Sequence, residues 1–378
     1  MITDKLLEDF IKIEVKQNNK LSDRQSRWDF TYHMKESIAN LGYMESPYEL
    51  SWQLTNRCNL NCNYCYAESS IDDTTNELST EKCHDLIEQF KRYKIYDITL
   101  EGGEVFLRED ILELIEHLKE NGIFIDILTN GFLISEKIVE KLGQLLDRRV
   151  DGIQISLDFT DQEGIHKQLK LIIKNLILKG VNVRVNVVLT KENTENLKKI
   201  YLQTYELGVR GGFSVSDILP IGRGKKVEKP SVEEMFKSYI DIKKMEFEDL
   251  PITSSPFIIE SLSNYQDIFN KIKRNSPNVK RKICSAGKVK VNVASNGDVY
   301  PCVFLQYPEF LMGNINKKSL YDIWHSKKAA SIRKKLTVNT CIGCSKKTFC
   351  PGGCIGVAYA LHKNLLYPDS RCLKNYHG

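Results

Sequence analysis

The chain has 378 residues, with 54 Lys and Arg against 49 Asp and Glu and a formal net charge of +5. That length suits two cores and a connector, and so small a basic excess gives no footing for nucleic acid, which needs a clustered basic face. No apolar run suggests a membrane span. Without a signal-peptide pattern, a Lys-, Glu- and Ile-rich chain with 11 cysteines reads as cytoplasmic, with its thiols reduced.

Residues 1–47 read as an N-terminal extension with helical stretches near 4–13 and 27–41. Residues 48–55 alternate as a strand and run into Asn56-Arg57-Cys58-Asn59-Leu60-Asn61-Cys62-Asn63-Tyr64-Cys65-Tyr66. Further strands are expected at 97–100, 123–128, 152–157, 181–189 and 212–219. They end in Glu101-Gly102-Gly103-Glu104, in Thr129-Asn130-Gly131 and at Asp158. Helical periodicity fills the gaps at 79–93, 108–120, 135–146, 161–179 and 194–207. Alternating strands and helices predict βα units and a parallel sheet. Six units suggest an incomplete (β/α) barrel, whose chemistry would sit on the loops after the strands. Residues 225–283 are polar and read as a helical bridge, and Gly222-Arg223-Gly224-Lys225-Lys226 reads as a solvated basic loop.

The first cysteines are spaced C-x3-C-x2-C. Three thiolates on one short loop can hold three irons of a [4Fe–4S] cube and leave the fourth open to a chelating molecule. A partial zinc site would want four ligands, and disulfides do not suit the compartment. This loop, placed after a first strand, resembles the signature of the radical SAM superfamily. The resemblance implies that Cys58, Cys62 and Cys65 hold a cluster whose open iron is chelated by S-adenosylmethionine (SAM). Reduction then yields a 5′-deoxyadenosyl radical that abstracts hydrogen from substrate. It also implies a partial (β/α)6 barrel over residues 48–224.

Gly102-Gly103-Glu104 resembles the family's GGE motif at the methionyl amino group. There the glycines would let backbone approach the ligand and Glu104 would accept from an ammonium. By the same resemblance Tyr64 lies near the adenine and Ser156 contacts the ribose. Asn130 and Asn186 are further carry-overs, each also readable as a buried structural amide.

Cys284, Gly297 to Cys302, Cys341-x2-Cys344-x5-Cys350-x3-Cys354 and Cys372 follow. Taken alone, Cys341, Cys344, Cys350 and Cys354 would suit a zinc knuckle. All seven positions together resemble the SPASM extension of radical SAM enzymes, over residues 284–378. Ser295-Asn296-Gly297-Asp298 between apolar runs reads as its hairpin turn. The resemblance assigns Cys341, Cys344, Cys350 and Cys372 to an outer auxiliary cluster and Cys284, Cys302 and Cys354 to an inner one, giving three [4Fe–4S] clusters with the SAM site. The inner cluster then lacks a fourth cysteine; Asp298 or Asp322 are local candidates. Val303 stands where sulfatase-maturing relatives place an aspartate base, which argues against that activity. Cys83 is left over and reads as a small buried residue of a helix.

The resemblance implies modification of a ribosomally made precursor peptide by crosslinking, thioether formation, epimerisation or oxidation. An external donor such as flavodoxin or ferredoxin would supply electrons. Radical chemistry on a sugar, aminocyclitol or tetrapyrrole is the alternative. A non-catalytic iron–sulfur carrier would need neither a barrel nor a GGE loop. Asp217 is a candidate pocket carboxylate or a solvated turn residue.

Overall fold

The computed structural model describes residues 43–158, 160–161, 164–257, 284–336, 344 and 352–372. The helical stretches expected in the N-terminal extension lie outside these residues, as do Cys341 and Cys350. The strands are Glu49–Thr55 (β1), Asp97–Gly102 (β2), Phe124–Thr129 (β3), Gly152–Ser156 (β4), Thr160–Asp161 (β5), Gly164–Ile165 (β6), Val183–Val188 (β7), Phe213–Ser216 (β8), Ile252–Ser254 (β9), Lys290–Val293 (β10), Asp298–Tyr300 (β11) and Gly313–Asn314 (β12). The helices are Thr80–Arg92 (α1), Ile111–Glu120 (α2), Glu136–Leu145 (α3), Lys167–Leu178 (α4), Leu197–Glu206 (α5), Val232–Lys244 (α6), Leu320–Trp324 (α7), Lys327–Lys335 (α8) and Ile355–His362 (α9).

The six expected strands are present as β1, β2, β3, β4, β7 and β8, all paired in parallel. Their alternation is the sequence's clue to a polar interior. Parallel strands covered on both faces usually read as continuous apolar runs. Here Ile125, Ile127, Ile153, Ile155, Val185, Val187 and Val215 form the buried apolar face. Residues of the opposite parity, Leu128, Gln154, Ser156, Asn186, Val188 and Ser216, line a cavity. The helices cover the apolar face with stripes at helical spacing, such as Cys83, Leu86, Ile87 and Phe90 of α1. Ser79, Ser135 and Ser231 cap α1, α3 and α6 through their side chains.

Three departures from the sequence reading matter. The helix expected over 161–179 starts at Lys167, because β5 and β6 form a two-residue ribbon in which Gly164 takes φ +104°. Residues 225–257 are not wholly helical: after α6, β9 pairs in parallel with β8 and extends the sheet. Three residues between Pro251 and Pro256 are too few to show a period, and prolines flank edge strands naturally. The expected hairpin exists as β10–β11, turning at Gly297 with φ +84°. Yet it does not stand apart, for β10 pairs in parallel with β1, Glu49 against Lys290 through Trp52 against Val293. The C-terminal segment thereby joins one sheet, of ten strands among the described residues, ordered β12-β11-β10-β1-β2-β3-β4-β7-β8-β9. The buried Asn292 amide donates to the Ser51 carbonyl at 3.1 Å across that seam.

Candidate active site

The cavity, of about 370 Å³, opens at the C-terminal ends of the parallel strands. Cys58, Cys62 and Cys65 line it together with Tyr64, Gly102, Gly103, Asn130, Ser156 and Asn186. Nine of the ten residues expected around SAM and its cluster therefore share one space. Glu104 is the tenth, and it is placed otherwise. It is fully buried. Its Oε1 accepts from the Phe106 N–H at 3.1 Å and the Thr129 hydroxyl at 2.8 Å, and its Oε2 from the Asn130 N–H at 2.8 Å. Burial raises its pKa against those three donors. In this structure the carboxylate is a strut between two strand-end loops, and the backbone of Gly102 and Gly103 faces the cavity.

The glycines also serve a different neighbour from the one expected. The β1–β2 ladder continues past the strands: Gly103 N–H donates to the Thr55 carbonyl at 2.8 Å and Glu104 N–H to the Arg57 carbonyl at 2.9 Å. A Cβ on Gly102, whose φ is +154°, would overlap the Thr55 carbonyl oxygen, and one on Gly103 the Arg57 oxygen. Close backbone approach to the start of the cysteine loop, not only to a ligand, demands glycine here.

The cysteine loop is held from three further sides. Asn130 Nδ2 donates to Asn59 Oδ1 at 2.9 Å and reaches Cys58 Sγ at 3.9 Å, while Leu60 N–H points at the same sulfur at 3.4 Å. The Tyr64 hydroxyl donates to Asp158 Oδ2 at 3.0 Å, and Asp158 Oδ1 accepts the Val188 N–H at 2.6 Å. Burial pushes the Asp158 carboxyl up to about 6. Asp158 was legible as a strand end but carried no assigned role. The third support corrects the sequence reading of 222–226 as a solvated loop. Arg223 donates from its backbone N–H to the Cys65 carbonyl at 3.0 Å, from Nε to the Cys62 carbonyl at 2.8 Å and from its Nη2 to the Ser69 carbonyl at 2.9 Å. Gly222, at φ +54°, lies where a Cβ would meet the Cys65 and Tyr66 carbonyls.

The C-terminal segment closes the cavity. Val303 and Phe304, directly after Cys302, line it. The Phe304 ring packs edge-on against Tyr66, centroids 5.5 Å apart, and the Tyr66 hydroxyl donates to Glu101 Oε2 at 2.7 Å. Ile221, Val357 and Ala360 make a small apolar cluster beside Tyr66, Leu219, Phe304 and Cys354, which seats α9 on the loop after β8.

Cys284, Cys302 and Cys354 are grouped. Burial pushes the Cys302 thiol up to about 12, and the neighbouring Cys354 and Cys284 add to it. Cys354 N–H donates to Asp369 Oδ2 at 2.7 Å, and Cys372 N–H to the Asp369 carbonyl at 3.1 Å. Asp369 is fully buried and paired with Arg371 at 2.6 Å. One aspartate thus ties an expected inner ligand to an expected outer one. Asp298 and Asp322 are engaged locally, by the Asn314 amide at 2.8 Å and the Ser319 hydroxyl at 2.6 Å. Cys83 is buried in α1, away from both groups, with the Arg108 guanidinium 3.8 Å from its sulfur.

The donor set suits iron–sulfur clusters. Burial first, then Asp158 and the other two thiols, pushes Cys62 up to about 11, and burial, Glu104 and Cys65 raise Cys58. Three thiolates can coexist in such surroundings only around cations, which bound iron provides. Among the described residues no three His, Cys, Asp or Glu side chains converge on a single metal ion, and no cysteine is in a disulfide.

A parallel partial barrel with a three-cysteine loop at its strand ends defines a class of enzyme that works through a SAM-binding cluster. The model of the radical SAM superfamily matches residues 52–234, and that of SPASM, an iron–sulfur cluster-binding domain, matches 284–345. The chain belongs to the radical SAM superfamily and carries a SPASM domain, with SAM and iron–sulfur clusters as its cofactors. It is 27% identical to mycofactocin maturase MftC of Mycolicibacterium smegmatis, over 88% of this chain and 84% of that protein. It is also 27% identical to an AdoMet-dependent heme synthase of Methanosarcina barkeri, over 87% and 97%. Its fold matches the crystal structure of Streptococcus suis SuiB bound to S-adenosylmethionine with a TM-score of 0.69, at 22% identity, over 89% and 80% of the two chains. No helix among the described residues is long and apolar enough to cross a membrane.

Proposed function

We propose that this enzyme modifies a ribosomally made precursor peptide by radical chemistry started at the Cys58–Cys62–Cys65 loop. The observation that carries this reading is the single cavity shared by the three thiols, the polar strand ends and Val303-Phe304 of the C-terminal domain. SAM and the cluster, when bound, supply a 5′-deoxyadenosyl radical on one-electron reduction. The protein's own part is to bind, orient and exclude water.

In this reading Cys58, Cys62 and Cys65 hold the cluster, and Gly102 and Gly103 present backbone to the methionyl end. Tyr64, Asn130, Ser156 and Asn186 frame the nucleoside, with Glu104 fixing the Asn130 loop from behind. Ser156 and Asn186 are register partners on β4 and β7, and Ser216 Oγ donates to Asn186 Oδ1 at 2.8 Å. Cys284, Cys302 and Cys354 would hold an inner cluster, and Cys341, Cys344, Cys350 and Cys372 an outer one. With the SAM site that makes three clusters and about twelve irons. An external carrier such as flavodoxin or ferredoxin would deliver electrons. Residues 48–224 would form the catalytic barrel, with α6 and β9 in the connector and the auxiliary domain from 284.

The peptide reading is supported by the similarity to a protein named as a maturase. The similarity to heme synthases, one of them over 97% of its length, favours a tetrapyrrole as the second reading. The two separate in one experiment. Anaerobically reconstituted protein is given SAM, dithionite and either a synthetic copy of a short peptide encoded beside the gene or iron coproporphyrin III. The peptide should accelerate 5′-deoxyadenosine formation and change mass. Acceleration by the porphyrin alone would overturn the peptide reading.

A further inference from the structure

Asp217, the residue after β8, lines the cavity and is only 8% exposed. Its Oδ2 accepts from Lys229 Nζ at 2.8 Å. Its Oδ1 is buried and has no hydrogen-bond partner. A buried carboxylate oxygen without a donor costs folding free energy, and such a group calls for a reason, a functional role among them. Burial raises the carboxyl's pKa against Lys229 and Arg371, which lower it, and Asp369 adds to the rise.

The position narrows the ligand. In the sheet order β8 is separated from β2, the strand bearing Gly102, by β3, β4 and β7. The expected methionyl end of SAM lies on the β2 side. Asp217 lines the cavity with Ile218 and Leu219, and Leu219 packs against the same small apolar cluster as Phe304 of the C-terminal domain. That part of the cavity combines apolar surface with one anionic acceptor. Lys229, its partner, also lines a charged surface groove with Lys191, Glu195, Glu228 and Lys237, so the ion pair sits between groove and cavity.

We propose that Asp217 turns its unpartnered Oδ1 toward the cavity to anchor a hydrogen-bond-donating cationic or amide N–H group of the substrate, placing the neighbouring carbon for hydrogen abstraction. This rests on the radical SAM reading of the cavity and deepens it, since it assigns the substrate side a nitrogen-bearing group beside an apolar one. A basic or N-terminal residue of a peptide has that chemistry; the propionate carboxylates of a coproporphyrin do not.

The test uses small probes in place of the unidentified substrate. Reconstituted enzyme is reduced with dithionite in the presence of SAM and one of three carbon-deuterated compounds: n-butylammonium, n-butylguanidinium or neutral n-butanol. A deuterium atom taken from a docked probe appears at C5′ of 5′-deoxyadenosine. The probe radical left behind takes an electron from dithionite and a proton from water. The quantity read, by mass spectrometry, is the fraction of 5′-deoxyadenosine that carries deuterium, which is independent of turnover.

The cations should label about fivefold more than butanol, the gap between charge-assisted and neutral hydrogen bonds. Asp217→Asn should bring them down to the butanol level. Lys229→Met, which leaves both carboxylate oxygens free, should raise cation labelling and guards against a misfolded Asn variant. Equal labelling by butanol, labelling retained in Asp217→Asn, or none from any probe while 5′-deoxyadenosine forms would overturn the assignment. A tenfold loss of SAM affinity in Asp217→Asn would overturn it too, by giving the oxygen to SAM's own ammonium or adenine amine. Absence of 5′-deoxyadenosine from the unmutated enzyme would instead remove the radical SAM reading beneath it.

Discussion

Arg223→Ala is the perturbation that most directly weighs how the cysteine loop is held. The guanidinium makes two charge-assisted hydrogen bonds, to the Cys62 carbonyl at 2.8 Å and the Ser69 carbonyl at 2.9 Å, that bracket the last two cluster cysteines. The backbone bond from Arg223 N–H to Cys65 survives the substitution. Hydrogen bonds to charged groups contribute about 1.5–3 kcal/mol each. The lower end applies to a half-buried side chain, which gives about 3 kcal/mol for the pair, or roughly a hundredfold in the population of the binding-competent loop. SAM affinity, measured by equilibrium dialysis on anaerobically reconstituted protein, should fall by about that factor. Iron at the SAM site should fall with it, while the auxiliary signals persist. Lys225→Ala, an exposed neighbour in the same basic run, is the control and should change neither quantity. Arg223→Ala with SAM affinity within twofold of the unmutated protein would refute the clamp and restore the reading of this run as a solvated loop.

Gly103→Ala places a Cβ against the Arg57 carbonyl and should abolish SAM binding even when iron is supplied in excess, as read by dialysis and iron analysis. Glu104→Gln keeps the shape but turns one acceptor oxygen into an NH2 group facing a backbone N–H, so it should lower thermal stability and site iron in part, whereas Glu104→Ala leaves the Asn130 and Phe106 N–H groups without partners and should lose more of both. Cys83→Ala should leave iron content unchanged and lower the melting temperature by a few degrees, on the order of 1–2 kcal/mol for a small buried side chain. Burial opposes ionisation of Asp110, but its hydrogen bonds from Arg108 and Thr80 prevail and hold its carboxyl below 3.8. Its stabilisation is therefore complete above that value and is lost as pH falls through the lower folded one. Asp110→Asn should lower stability at pH 7 and flatten the acid limb, as checked by denaturant titration across pH.

The fold was legible because apolar periods of two and 3.6 alternate through residues 48–207 and because every loop motif fell at a strand end. The cysteine loop was legible because its ligands are adjacent in sequence. What stayed hidden depends on distance along the chain. Arg223 meets a carbonyl 161 residues away, and nothing local distinguishes its basic run from a solvent-facing one. The merger of β10 with β1 joins residues 241 apart, so a hairpin legible from its turn gave no sign of its neighbour. The role of Glu104 was hidden for a related reason: the donors that occupy it, Thr129 and the Asn130 N–H, arrive from the next strand of the sheet. Asp217 was a candidate carboxylate in the sequence, but only packing could show one oxygen paired and the other bare.

That the Cys58–Cys62–Cys65 loop starts radical chemistry on SAM is tested by measuring 5′-deoxyadenosine and methionine from reduced, anaerobic enzyme, beside a variant with those three cysteines changed to alanine. The unmutated enzyme should form both products in equal amounts. The variant should form neither while keeping about eight of twelve irons in its auxiliary clusters. Product formation by the variant, or none by a fully iron-loaded unmutated enzyme, would contradict the account.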